Sequence, residues 1–280
     1  MREVAIVGVG ALGGTLAHLL AARDVVSRIR LIDDAGQIAT GTALDIMQTT
    51  PLSGSAALVS GSQDLTTMTG SSLVVVADRA DGREWQGDGA LLLLETIARS
   101  APSSLVLCAG ASQRELVERG VRELPFLRTR LFGSAPEALR GALRAVVALE
   151  VNGSPGDVAI SVLGIPPDRT VVPWEDATIG GLAATSRLDT PAMRRLDARL
   201  GPLWPPGPFA LAAAAAEAAA AVFGRSHRIL TCFVAPDDSS GRRERAVARP
   251  IHLGPRGLTV PELPALAPRA RVAFNNARLL

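Results

Sequence analysis

Lysine and tyrosine are absent from this 280-residue chain, so all 29 of its basic residues are arginine. Without lysine there is no amine for a Schiff base and none to grip a phosphate in a P-loop. Cysteine occurs only twice, at Cys108 and Cys232. The pair stands far apart inside apolar runs, which excludes a disulfide framework or a metal cluster by spacing and reads as small buried hydrophobes. Aromatic residues make up 3% of the chain. No apolar run reaches the roughly 20 residues of a membrane span. The best candidate, "ALAAAAAEAAAAVF" from Ala210 to Phe223, is mostly alanine, carries Glu217 and reads as a core helix. Basic and acidic residues nearly cancel to +2. With the arginines scattered and no basic helix, the composition points to GC-rich coding and to no nucleic-acid partner. A strand starts almost at once, in "MREVAIVGVG", which leaves no room for a secretory leader and gives the cytoplasm as the expected location.

What is present is a soluble composition, 48% hydrophobic and 20% charged, in a chain long enough for one large domain or two moderate ones. The first half alternates apolar runs with helical periodicity: "EVAIVGV", "ALGGTLAHLLAAR", "RIRLID", "GQIATGTALDIMQ", "AALVS", "SSLVVVA", "ALLLLETIARS" and "SSLVLCA". This order predicts a Rossmann-type doubly wound parallel sheet covered on both faces, over residues 1–134. A short strand, "TRLFG", and a helix, "PEALRGALRAVVALE", lead out of it. Residues 135–280 then read as an α+β domain, with strands "DVAISVLG", "TVVP", "RILTCFV", "RAVAR" and "IHLG", the helix "TPAMRRLDARL", the alanine-rich helix, and a proline-rich tail of little periodicity after Leu258.

The sharpest motif is Gly8-Val9-Gly10-Ala11-Leu12-Gly13, which follows a strand and opens a helix. Glycines there permit a tight turn and close approach of backbone to a pyrophosphate, and the helix start presents free N–H groups with partial positive charge. Asp33 ends the second strand about 20 residues further on, where a carboxylate holds an adenosine ribose; an acid there favours NAD over NADP.

On these residues the chain resembles the lactate/malate dehydrogenase family. The resemblance extends through "IRLIDDAGQIATGTALDI", with Gly41, Ala43, Leu44 and Asp45, through "DVAISVLG" and "VVPWEDATIGG", and through "GPFALAAAAAEAAAAVFGRSHRILTCFV" and "PIHLGPRGL". It implies an NAD cofactor, reversible hydride transfer to a 2-hydroxy acid, and a homo-oligomer, dimer or tetramer, in which the "GTALDIM" helix faces another subunit. It also implies a constellation that is missing here. The family's proton-transferring histidine falls on Pro166, with Pro167 next to it, its orienting aspartate on Leu139, and its carboxylate-binding arginine on Ala142. Its asparagine-proline falls on Ala109-Gly110. The stretch "DRADGREWQGDG" lacks the mobile loop's Arg-x-Pro-Gly pattern, its second arginine falling close to Gly87, and Thr-Ala-Gly is replaced by Val76-Ala77-Asp78. Losing the acid/base costs about 10² to 10⁴ in rate, and each electrostatic stabiliser about 10² to 10³.

The expected cofactor contacts are Gly8, Gly10, Ala11, Leu12, Gly13, Asp33 and Ala77, with the adenosine half of the NAD site kept. The nicotinamide half is compromised, because Asp78 repels a pyrophosphate unless Arg79 neutralises it. No residue occupies the family's catalytic positions. Asp168, Arg83 and Arg144 remain weak candidates, while His18, His227 and His252 read as surface or structural residues. Three functions are open on this reading. The first is a catalytically silent family member that binds NAD or a related adenine nucleotide. The second is an active NAD-dependent oxidoreductase acting on the CH–OH group of another small molecule bound in a rebuilt cleft. The third is a purely structural subunit, whose sign would be a side chain at the pyrophosphate position.

Overall fold

The computed structural model describes residues 2–237, 244–263 and 266–279. In the first half β1 (Glu3–Val7), α1 (Ala11–Ala22), β2 (Arg28–Ile32), α2 (Gly36–Ser53), β3 (Leu58–Ser62), β4 (Leu73–Val76), α3 (Gly87–Ser100), β5 (Leu105–Cys108), α4 (Arg114–Glu123) and β6 (Leu131–Gly133) follow in order. Their strands pair in parallel in the order β3-β2-β1-β4-β5-β6. That is the doubly wound order, in which the direction of winding reverses between β1 and β4.

Strand pleating explains why the apolar runs are continuous. Successive side chains point to opposite faces, and here each face is covered. Val4 and Ile6 of β1, Leu73 and Val75 of β4, and Leu105 and Leu107 of β5 enter one cluster with α1 and α8 (Pro208–Val222). Ala5 and Val7, Val74 and Val76, and Val106 and Cys108 enter the other, with Leu93, Leu94 and Ile97 of α3. The alanines of α8 let it lie close against α1, as interaxial distance follows side-chain size. Glu217, which interrupts that helix, pairs with Arg23 at 2.9 Å.

The second half contains α5 (Ala135–Glu150), β7 (Val158–Ala159), β8 (Leu163–Ile165), β9 (Arg169–Val171), β10 (Thr178–Ile179), β11 (Leu182–Ala183), α6 (Ala184–Arg187), α7 (Thr190–Arg199), α8, β12 (Leu230–Val234), β13 (Val247–Gly254), β14 (Gly257–Thr259) and α9 (Pro268–Arg278). The main sheet does not stop at β6: it continues antiparallel through β12, β13, β8 and β9, while β7, β10 and β11 form a separate small sheet. Helix α5 joins the halves, burying Ala135 and Ala138 with α8 and Leu139, Leu143 and Val147 in a further cluster with Ile160, Val162 and Trp174.

Four expectations need correction. "DVAISVLG" is two strands, not one, because its first residues pair with β10 and its last with β9 and β13. "RAVAR" and "IHLG" are a single strand, β13; Pro250 fits because it falls between Ala248, which pairs with β8, and His252, which pairs with β14. The tail carries a helix, α9, held by burial of Phe274 and Ala277, although positions 264 and 265 within the tail lie outside the described residues. Helix α4, a highly charged segment with few apolar positions, has no counterpart in the expected order. Among the described residues, no helix is long and apolar enough to cross a membrane.

Both thiols are buried, and burial pushes them well above the usual thiol range. The folded protein should therefore fail to react with a thiol reagent at mildly alkaline pH and react at both cysteines once denatured; native-state labelling would place one of them at the surface. Gly61 of β3 lies under α2, where a Cβ would overlap the Ala39 carbonyl and the Thr40 nitrogen. Gly61→Ala should cost about 1–3 kcal/mol by forced displacement of the helix, read as a lower midpoint in urea.

Candidate functional site

The carboxyl ends of β1 and β4 meet where the winding reverses, the place where open α/β sheets bind ligands. Gly8 continues β1 with φ of 105°, a left-handed value that favours glycine, and a Cβ there would overlap the Asp78 carbonyl. Its N–H donates to Ile32 O at 2.7 Å, and that of Gly10 to Asp78 O at 2.9 Å. The glycine turn is thus built for close backbone approach, and the segment that approaches is the chain's own exit from β4.

Asp78 fills the place in front of α1. The Leu12 and Gly13 backbone N–H groups donate to its Oδ2 and Oδ1 at 3.2 and 2.9 Å, and the residue is only 7% exposed. A Cβ on Gly10 would come within 2.5 Å of the Asp78 Cγ. These are the free N–H groups and the positive dipole end that a pyrophosphate would take. A second negative charge about 4 Å from this one would cost roughly 4 kcal/mol at an effective dielectric near 20. As folded, the pyrophosphate position does not fit a dinucleotide. Arg79 does not relieve it, as its guanidinium pairs with Asp34 at 3.1 Å and lies 5.0 Å over the Trp85 ring.

Asp33 is also engaged, and 6% exposed. Val9 and Ala80 N–H groups each donate to its Oδ2 at 2.9 Å, and Ala35 N–H to its Oδ1 at 3.0 Å. An ionised carboxylate offers about four lone-pair positions, so little accepting capacity is left for a ribose. Ala77 is wholly buried, with its N–H donating to Val7 O at 2.8 Å, whereas Ala11 is exposed at the mouth of the turn.

The segment after Asp78 turns back at Gly82, with Arg79 N–H donating to Arg83 O at 2.9 Å, and forms a bridge between Asp78 and Glu84. Glu84 then reaches across to the turn after β5, where the Ala111 and Ser112 N–H groups donate to Oε1 and Oε2 at 2.9 and 2.8 Å. Gly110 makes this possible: a Cβ there would overlap the Glu84 carboxylate, and its N–H donates to the buried Gln113 Oε1 at 3.0 Å. Sequence reading missed Glu84. Its only signal was the glycine at 110, where the family resemblance implied a proline with neither the room nor the N–H.

Of the remaining candidates, Arg83 belongs to this returning segment and the others stand on other elements. Pro166 is buried at the end of β8, in the hairpin whose register pairs Ile165 with Arg169. Leu139 is fully buried in an apolar cluster. Ala142 is half-buried on the same helix. Asp168 is exposed and lines a cleft of about 530 Å³ with Trp174, Glu175, Asp197 and Arg269, none of them from the glycine turn. Exposed Arg83 binds the Asp81 carboxylate, which it holds below the usual carboxylate range. Arg144 donates to Pro155 O at 3.1 and 2.7 Å, and burial and the neighbouring Arg140 lower its pKa. His18, His227 and His252 are all exposed.

Residues 2–86 match the family model described as lactate/malate dehydrogenase, NAD binding domain. A malate dehydrogenase of Thioalkalivibrio sulfidiphilus is 28% identical over 296 aligned positions, spanning 99% of this chain and 96% of that protein. The solved malate dehydrogenase of Salinibacter ruber superposes with a TM-score of 0.88 at 22% identity, over 99% of this chain and 94% of that one. That of Plasmodium falciparum, solved in complex with NADH, gives 0.87 at 15% identity, over 99% and 95%. The glycine turn at the reversal point, the strand order and these full-length likenesses agree: residues 2–86 match the NAD-binding domain of lactate/malate dehydrogenases, and the whole chain has the fold of the solved malate dehydrogenases.

Proposed function

We propose that this protein is a family member without 2-hydroxy acid dehydrogenase turnover. The observation that carries the reading is Pro166, buried where the resemblance puts the proton-transferring histidine. Proline has no group to accept the hydroxyl proton, and general acid–base catalysis requires one within hydrogen-bond reach. Leu139, sealed in an apolar cluster, supports the same reading, because an imidazole at 166 would find no carboxylate there to orient it. A rebuilt oxidoreductase site, with Asp168, Arg83 or Arg144 in a new role, would need polar groups converging beside Pro166, whereas Arg83 is paired with Asp81 and Arg144 with a backbone carbonyl. Asp78 at the pyrophosphate position is the sign expected of a purely structural subunit, so a nucleotide enters the glycine turn only by displacing Asp78 and the donors on Asp33; the class that fits it then is an adenine dinucleotide, NAD before NADP on account of Asp33, and the expected location is the cytoplasm.

The purified protein should oxidise no NADH with oxaloacetate or pyruvate, and reduce no NAD with malate or lactate, above the buffer rate across the neutral range. Pro166→His alone should leave it silent. A robust cofactor-dependent rate for the unaltered chain would defeat the proposal.

The reading includes a homo-oligomer. Helix α2 exposes Ile38, Leu44 and Leu52, at 48%, 61% and 90%, and Gly41 on the same face has nothing within reach of a Cβ. An amphipathic helix turns such a stripe toward a partner. Sedimentation velocity should give a dimer or larger species, and Leu44→Arg should shift it toward monomer; a monomer for the unaltered chain would remove this part.

A further inference from the structure

We propose that the strap from Asp78 to Trp85 is a built-in occupant of the nucleotide cleft, with Asp78 standing in for the pyrophosphate of an adenine dinucleotide. The proposal rests on the adenine-dinucleotide reading of the glycine turn and not on the absence of turnover. Geometry carries it. The strap sends two carboxylates into two nests of backbone N–H groups, Asp78 onto Leu12 and Gly13 at the start of α1, and Glu84 onto Ala111 and Ser112 ahead of α4. Between them the Ala80 N–H takes up Asp33 and the Arg79 guanidinium takes up Asp34, so the carboxylates at the end of β2 are also held by the strap.

Each contact is of the kind a ligand would make. Anion against helix N-terminus is a phosphate's contact, and donor against the β2 carboxylate is a ribose hydroxyl's. The competitor is tethered to the strands that form the site, so its effective concentration far exceeds that of a free ligand. A nucleotide therefore binds only when the strap lifts, and its apparent affinity is multiplied by the small fraction of chains in which the strap is open.

The test compares ADP-ribose with adenosine by titration calorimetry on the unaltered protein, on Asp78→Gly, and on Asp78→Asn. The asparagine variant keeps the shape and one acceptor oxygen should the glycine variant fold poorly, and circular dichroism checks both. ADP-ribose should bind each variant at least about tenfold more tightly than the unaltered chain, a gain of roughly 1.4 kcal/mol, while adenosine, which has no pyrophosphate to take the place of Asp78, should gain only by the easier opening of the strap and so clearly less. Equal affinities for ADP-ribose across the three proteins, an equal gain for adenosine, or no binding to either variant would overturn the proposal. Cofactor turnover is read separately, so a rate in the unaltered chain would count against the silent reading and leave this ratio to stand or fall alone.

Discussion

The first helix leaves its N-terminal N–H groups at the point where β1 and β4 end, and negative charge is favoured there by the alignment of peptide dipoles. In this chain the charge comes from Asp78, the second residue past β4. Much else at this edge of the sheet follows from that contact. It pulls the chain after β4 down onto the glycine turn, brings the Ala80 N–H to Asp33, and starts the turn that lets Glu84 reach Ala111 and Ser112. The surface that would admit a dinucleotide is thereby turned into internal hydrogen bonding. Asp78 and Gly110 are then two ends of one arrangement, an acid that fills the helix start and a glycine that makes room for the second acid.

The fold was legible wherever burial on both faces writes itself as a continuous apolar run. β1, β4 and β5 are such runs, with alternate residues feeding opposite clusters, and the glycine turn marks the start of α1. Legibility failed where an element owes its existence to distant partners. α4 is mostly charged and forms because Leu116 and Val117 dock on the sheet. The division of "DVAISVLG" is decided by which strands flank it, β10 on one side and β13 on the other. The candidate site divides in the same way. Pro166, Leu139 and Ala142 were singled out by resemblance alone. Glu84 could not be found, since a carboxylate reaching backbone amides 27 positions away has no local pattern.

The charged residues show how an arginine-only chain spends its cations. Arg114 and Arg122 hold the buried Glu118, and Arg140 holds Glu137. The planar guanidinium suits such pairing with carboxylates. Its geometry serves the structure here.

The pairing of β6 with β12 has a mechanical meaning. Phe233 lies opposite Gly133, whose missing side chain leaves the ring in contact with the backbone, and through this junction one hydrogen-bonded ladder runs from β3 to β9. Helix α5 crosses the same junction with one part of its surface in each core. A pull applied across the molecule would have to shear that ladder and extract the helix together. The two halves are therefore fastened like planks on a common beam, and the hairpin carrying Pro166 is held at a fixed offset from the glycine turn without a hinge between them.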